Sequence, residues 1–482
     1  MTMRGRSSDG DARELARFGY AQELVRRLGA FSTFAIAFSI ISVLTGVTST
    51  FGDALASGGP VGLGLGWPLV ACGTMVVALA MAELASAFPT AGALYHWSAL
   101  LGGPFWGWAT AMLNLVGQLA IVAAIDLACA QALAQILGWG AFGSYGLYAA
   151  IVAVHGVLNA TSVPLVAWLN DASATVHVAG VLLLAGWLSW KGIAHPASYL
   201  LQGPPAGASG GAALGFIRSL VLGVWTFTGF DAAAHVSEET HDPGRRAPYG
   251  IVSSVAVSAV AGFALVVALT LSVRDAAAIG EPADAALNVL RGALGPQAGS
   301  IAMGLVVLAM WFAGLSSVTS ASRMLFAFAR DGGLPMAALF RRIDPRTHTP
   351  VNATVACVLA PLALVAATAG LSDAVFLAVA ALATVALYVS YALPIALGVR
   401  ARAQGRWKRL GVWHLGRAGR TLAWIAVAWT AGVVVVCALA NALSVAAFGA
   451  VIVALLAVWR LRVRGSFTGP SVDLAQFEEG SR

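Results

Sequence analysis

Charge is scarce in this 482-residue chain: Asp, Glu, Lys and Arg together make up 10% of it, against about a quarter in soluble domains. A chain so short of charge cannot have water as its main solvent, which excludes a soluble globular protein. Cysteine is nearly absent too. Cys72, Cys129, Cys357 and Cys437 all fall inside apolar runs, where a thiol behaves as a small hydrophobe, so neither a disulfide framework nor a metal-ligand spacing can be read. Long polar stretches are missing, since the longest, 331–350 and 398–420, are loop-sized. That leaves no soluble domain for a receptor kinase or a tethered enzyme, and no nucleophile–base or metal constellation supports catalysis.

What is present is apolar length, with 59% hydrophobic residues and a mean hydropathy of +0.82. Runs able to cross roughly 30 Å of hydrocarbon fall at 30–57, 67–87, 104–132, 145–163, 170–190, 214–238, 249–272, 297–328, 351–369, 373–397, 420–441 and 443–463. They predict an all-α polytopic membrane protein with twelve transmembrane helices. The first run follows a polar leader bearing Arg4, Arg6, Arg13, Arg17, Arg26 and Arg27, and it is too long for a signal-peptide core, so no cleaved signal is expected. Of the 28 Lys and Arg, all but Lys191, Arg218, Arg274 and Arg291 lie on one side of the alternating segments. The positive-inside rule makes that side, with both termini, cytoplasmic, in a plasma or inner membrane. Anionic lipid of the inner leaflet then accounts for the net charge of +7, and no nucleic acid is needed as a partner.

Two of the runs carry a Thr-Gly at matching places: Leu44-Thr45-Gly46-Val47-Thr48 in the first and Phe227-Thr228-Gly229-Phe230-Asp231 in the sixth. Unwound backbone at bilayer depth survives only where it is buried in protein or lines a polar cavity. Paired interruptions of this kind mark the binding site of secondary transporters built from repeats. The plainer reading is that glycine is abundant, with 54 in the chain, and tolerated in membrane helices.

The surrounding residues carry a resemblance. Phe38 to Gly52, Ala82-Glu-Leu-Ala-Ser-Ala-Phe-Pro-Thr-Ala-Gly-Ala-Leu-Tyr-His-Trp97, Phe227 to Glu239, and Arg323-Met-Leu-Phe-Ala-Phe-Ala-Arg-Asp-Gly-Gly-Leu-Pro335 occur in order. Together they resemble the amino acid/choline transporter branch of the amino acid–polyamine–organocation superfamily, which includes GABA permeases. The resemblance implies a LeuT-like fold, a five-plus-five inverted repeat with helices 1 and 6 broken. On that basis 1–29 is a cytoplasmic tail, 30–397 the transporter core with repeats 30–190 and 214–397, 398–463 a cytoplasmic loop with two added helices, and 464–482 a second cytoplasmic tail.

Within that frame the first break, at Thr45, Gly46, Val47 and Thr48, is expected to offer backbone N–H groups to a substrate carboxylate. Carbonyls of Phe227 and Thr228 beside Gly229 would take an ammonium, with Phe230 either a lid or ordinary packing. Asp231 would cap the following half-helix or attract a cationic amine. Asn114, Gln118 and Asp126 lie close to one face of the third helix; Gln118 would set specificity or bond another helix, and Asp126 would be protonated, paired or purely structural. Ala313, Ser316 and Ser317 resemble the stretch that holds sodium in sodium-coupled relatives, although serine also joins membrane helices. His177 stands in the fifth helix, where proton-coupled relatives can place a lysine, and could titrate. Glu83, Glu238, Glu239, Arg323 and Arg330 suggest a cytoplasmic gate, with solvated interface charge as the alternative, more so for Glu239 and Arg330 than for Glu83 and Arg323; His155 and His235 are read as packed or hydrogen-bonded.

The expected function is therefore secondary active transport of an amino acid or GABA-like zwitterion, with no cofactor and with Na⁺ or H⁺ as coupling ion. Either ion contributes about 2.3 kcal/mol per charge at 100 mV, about 50-fold accumulation. The alternatives are an amine or choline permease, for which Trp225, Phe230 and Asp231 would form the cation site, and a membrane sensor that binds without transporting.

Overall fold

Uninterrupted apolar runs satisfy their backbone groups by forming helices, and that is nearly all the chain does. The computed structural model describes residues 3–161, 163–204, 211–274, 284–368 and 375–479. Its helices are α1 Met3–Ala16, α2 Ala30–Ile41, α3 Val43–Gly64, α4 Gly66–Ala87, α5 Leu94–Gly102, α6 Pro104–Leu137, α7 Ala141–Thr161, α8 Val163–Lys191, α9 Gly211–Ser219, α10 Val221–Thr226, α11 Ala232–His235, α12 Pro243–Leu271, α13 Ala285–Leu294, α14 Pro296–Arg330, α15 Ala337–Phe340, α16 Val351–Thr368, α17 Val375–Ala403, α18 Gly419–Ala440, α19 Ala442–Val458 and α20 Leu474–Glu479. Among the described residues ten segments are long and apolar enough to cross a membrane, α2 and α3 counting as one. The expected fourth run coincides with α7, and the sixth is divided among α9, α10 and α11. The boundary expected between 369 and 373 lies outside the described residues.

The outer surface is what hydrocarbon tolerates and water does not. Trp424, Ile425, Val435, Leu443 and Val453 of α18 and α19 are exposed, a continuous apolar face far beyond what a soluble protein leaves open. Inside, α6 lies along α14 and α17, while α12 packs against α2 and α4. Gly58-Gly59-Pro60 reads as a loop, yet α3 runs through it with a kink at Gly59 (φ 67°). The carbonyl of Gln202 accepts the N–H of Val61 at 2.9 Å and satisfies a donor that Gly59 and Pro60 free at the kink.

Candidate substrate-binding site

The first break is at Ser42, not at Thr45-Gly46. Ser42 separates α2 from α3 with φ 34° and ψ 78°, a left-handed conformation that side chains adopt at a cost. Its hydroxyl is held from both sides: His177 Nε2 lies 2.8 Å from Ser42 Oγ, and Thr45 contributes its Oγ1 at 2.5 Å and its N–H at 3.3 Å. His177 in turn turns Nδ1 to the Ser173 carbonyl at 2.9 Å. Both ring nitrogens are thus engaged, which links α8 to the break. The expected amide donors must be corrected accordingly. The N–H of Gly46 is spent on the Ser42 carbonyl at 2.9 Å, and Val47 and Thr48 lie deeper in the helix. The open donors of the first turn are those of Val43 and Leu44.

Gly46 has a different use. A Cβ there would fall 2.2 Å from Thr226 Oγ1 and 2.6 Å from Thr226 Cβ, so the missing side chain lets α3 touch α10. The second break follows at once: α10 ends at Thr226, Gly229 takes φ 86°, and α11 begins at Ala232. A Cβ on Gly229 would lie 2.2 Å from Ile40 Cγ2. The two breaks thus face each other, Thr226 on Gly46 and Gly229 on Ile40.

Asp231 occupies the N-cap position of α11 but makes no capping hydrogen bond. Its carboxylate is instead the centre of a buried network, with Oδ1 accepting from Tyr391 OH at 2.8 Å and Oδ2 from Asn114 Nδ2 at 2.9 Å. His235 Nε2 lies 3.2 Å from the same Oδ2. Tyr391 OH also accepts the N–H of Gly229 at 3.2 Å, which ties the break to the acid. Asn114 Nδ2 lies 3.2 Å from Ser390 Oγ, and Gln118 Nε2 donates to Ser320 Oγ at 3.0 Å. The polar face of α6 is therefore spent on other helices. Near the second break the Phe227 carbonyl accepts from Tyr388 OH at 3.1 Å, and Thr228 Oγ1 donates to the Trp225 carbonyl at 2.8 Å. Phe230 is fully buried with its ring 4.9 Å from that of Tyr391. Tyr388, Ser390, Tyr391 and Ser320 carry no mark in the sequence beyond being polar groups in apolar helices.

The sodium candidates Ala313, Ser316 and Ser317 lie on neighbouring turns of α14. Ser317 Oγ donates to the Ala313 carbonyl at 2.8 Å, and Ser316 Oγ lies 2.7 Å from Asn170 Oδ1 and 3.0 Å from the Phe312 carbonyl. Asp126 joins His155 on α7, Nδ1 to Oδ2 3.2 Å, and does not extend the Asn114–Gln118 network.

At the end of the bundle that carries most of the basic residues, Arg323 Nε meets Glu239 Oε1 at 2.7 Å, and Arg330 binds both Glu238 oxygens at 2.9 and 2.8 Å. Glu239, which is buried, and Arg330, which is only partly exposed, are therefore both paired and are not simply solvated charge. Both pairs lie under the N-terminal segment. Gln22 Nε2 donates to the Glu238 carbonyl at 2.9 Å, and the N–H groups of Arg27 and Leu28 both reach the Glu239 carbonyl at 2.9 Å. The Arg330 guanidinium stacks on Tyr20, whose OH and that of Tyr95 donate to Asp331 at 2.7 Å. Burial nevertheless holds the Asp331 carboxyl above the usual carboxylate range. Glu83 stands apart, bonded to Arg402 at 2.9 Å and to the N–H of Leu415 at 3.1 Å.

A helical bundle with an apolar exterior and buried polar groups converging on two facing helix breaks defines a multi-pass membrane protein of the transporter class. Residues 28–460 match the family model described as amino acid permease. The chain is 34% identical to the amino-acid permease BAT1 of Arabidopsis thaliana, with 95% of each chain covered. It is 33% identical to the BAT1 homolog of Oryza sativa subsp. japonica over 98% of this chain and 97% of the other. Similarity to the GABA-specific permease of Saccharomyces cerevisiae is 28% over 74% of this chain and 66% of the other. The protein belongs to the amino acid permease family, whose members are named as transporters and not as enzymes.

Proposed function

We propose that the chain is a cation-coupled importer of amino acids or GABA-like zwitterions, working by alternating access through a LeuT-like inverted repeat in the plasma or inner membrane, with cytoplasmic termini. The observation that carries the reading is the opposition of the two breaks. The α3 N-terminus turns the amides of Val43 and Leu44 toward a negative group, and the break after α10 frees the Thr228 carbonyl for a positive one. A zwitterion matches both. Phe230 and Phe227 close over the substrate. Gln118 sets its length through its bond to Ser320.

An amine without a carboxylate fits less well, because Asp231, its natural counter-ion, is already bonded by three groups. We take the coupling ion to be a proton: a sodium ion at Ser316 and Ser317 would compete for the Ala313 carbonyl that Ser317 already uses. The Arg323–Glu239 and Arg330–Glu238 pairs form the inner gate. The test is uptake of radiolabelled amino acids, GABA and choline into proteoliposomes under imposed pH and Na⁺ gradients. Uptake of a zwitterion that follows the pH gradient supports the reading. Choline uptake alone, Na⁺-driven uptake, or saturable binding without transport would each overturn it.

A further inference from the structure

Asp126 and His155 sit at full burial between α6, α7 and α14, away from both breaks. His155 Nδ1 approaches Asp126 Oδ2 at 3.2 Å, but Asp126 Oδ1 and His155 Nε2 have no partner. Of the buried carboxylates described above, Asp126 alone keeps a fully buried oxygen unpartnered, while Glu83, Glu238 and Glu239 are met by arginines and Asp231 by three donors. Two turns away on α7, the Tyr148 hydroxyl is also buried without a partner. The site is shaped for this pair. A Cβ at Gly314 would fall 1.8 Å from Asp126 Oδ1 and 2.8 Å from His155 Cε1, so the carboxylate rests on bare α14 backbone, with Trp311 edge-on to the imidazole at 4.9 Å.

A lone buried carboxylate with one open oxygen is costly, and neutralisation is the usual remedy. One proton from water, bonding to Asp126 Oδ1 or His155 Nε2, takes the pair from a net charge of −1 to zero without breaking any protein bond. Among the described residues the titratable groups that feel the Asp126 charge include Cys129, one turn on along α6 with its thiol on the Val307 carbonyl at 3.5 Å, and Tyr148. The α14 face contributes only Trp311 and Gly314. Among the described residues no basic side chain bonds the open atoms. Asp126 is eight residues beyond Gln118 on α6 and Gly314 six before Ser320 on α14, about 12 and 9 Å of helix rise. The same helix pair thus carries the Gln118–Ser320 contact at one level and the Asp126–Gly314 contact at another, a rigid link between the two sites.

We infer that the Asp126–His155 pair is the proton-binding site of this permease. The inference rests on the proton-coupled reading given above, and one measurement makes it independent of that reading. In the purified wild-type chain, a pH step gives an infrared difference band of a buried carboxylic acid; Asp126→Asn loses it and Asp231→Asn keeps it. In proteoliposomes, Asp126→Asn and His155→Gln lose pH-gradient-driven accumulation, from about 50-fold at 100 mV equivalent to the level of equilibration, while exchange at equal pH continues. Accumulation within about twofold of wild type in both variants, or a band unchanged in Asp126→Asn, overturns the assignment. Should the wild type transport no amino acid at all, the function proposed above fails and the infrared band alone decides the site.

Discussion

Tyr391→Phe removes one oxygen and no volume, and it tests whether Asp231 is an organiser of the second break. The hydroxyl donates to Asp231 Oδ1 at 2.8 Å and accepts from the Gly229 N–H at 3.2 Å. Its loss strips Oδ1 of its donor, since Asn114 and His235 both approach Oδ2. A hydrogen bond to a charged group is worth about 1.5–3 kcal/mol, and a stranded buried N–H costs about 1–3. Even the lower figures together exceed 2 kcal/mol, more than tenfold in rate or affinity. Initial uptake in proteoliposomes should fall by at least that factor, with a lowered melting temperature in detergent. Asp231→Asn removes the charge that Tyr391 serves, so the double variant should be less impaired than the product of the singles, with a coupling of about 0.5–3 kcal/mol. Losses that simply multiply would refute the argument, because they would mean that the hydroxyl acts elsewhere.

Gly46→Val should abolish uptake with expression retained, by driving Cβ into Thr226 at a cost of about 1–3 kcal/mol; adding Thr226→Ala should restore part of the rate, and no restoration would deny the contact its role. Arg330→Ala leaves the Glu238 carboxylate buried and unpaired, about 3–5 kcal/mol of lost stability, read as a lowered melting temperature, with Arg330→Lys recovering only part because it cannot bind both oxygens. His177→Gln keeps a donor and an acceptor beside Ser42 and should retain most uptake, whereas His177→Leu should lose about tenfold for one missing buried bond of roughly 1.4 kcal/mol; equal loss in both would point to a titrating histidine.

Helices were legible in the sequence because hydrocarbon demands long apolar runs, and each expected run has its helix or helix fragments. The first break was legible only to within one turn. Glycine is the usual left-handed residue, so Gly46 draws the eye, but the left-handed residue is Ser42, held there by a histidine from α8 that no local pattern announces. Gly46 and Gly229 are glycines for another reason, the close approach of helices far apart in sequence. Asp231 looked like a cap because capping is a local rule, and Tyr391 and Asn114 on other helices, with His235 of α11 itself, take its carboxylate instead. Asn114, Gln118 and Asp126 all lie on α6, yet they meet different neighbours: Asp231 and Ser390, Ser320, and His155. Charges at one depth were readable near Glu238 and Arg323, but their pairing depends on an N-terminal segment folded over them, and composition is silent about that.

The segment has a consequence for motion. Residues 22–28 are bonded to the carbonyls of Ser237, Glu238, Glu239 and Thr240, and Leu28 pairs with Thr240 as an isolated bridge. Two of those carbonyls belong to Glu238 and Glu239, whose side chains hold Arg330 and Arg323. The two ion pairs and the tail therefore share one piece of backbone and cannot part independently. In the gate proposed above, opening this end would require residues 22–28 to come away like a zip, and anything that grips that segment would then act as a brake on turnover.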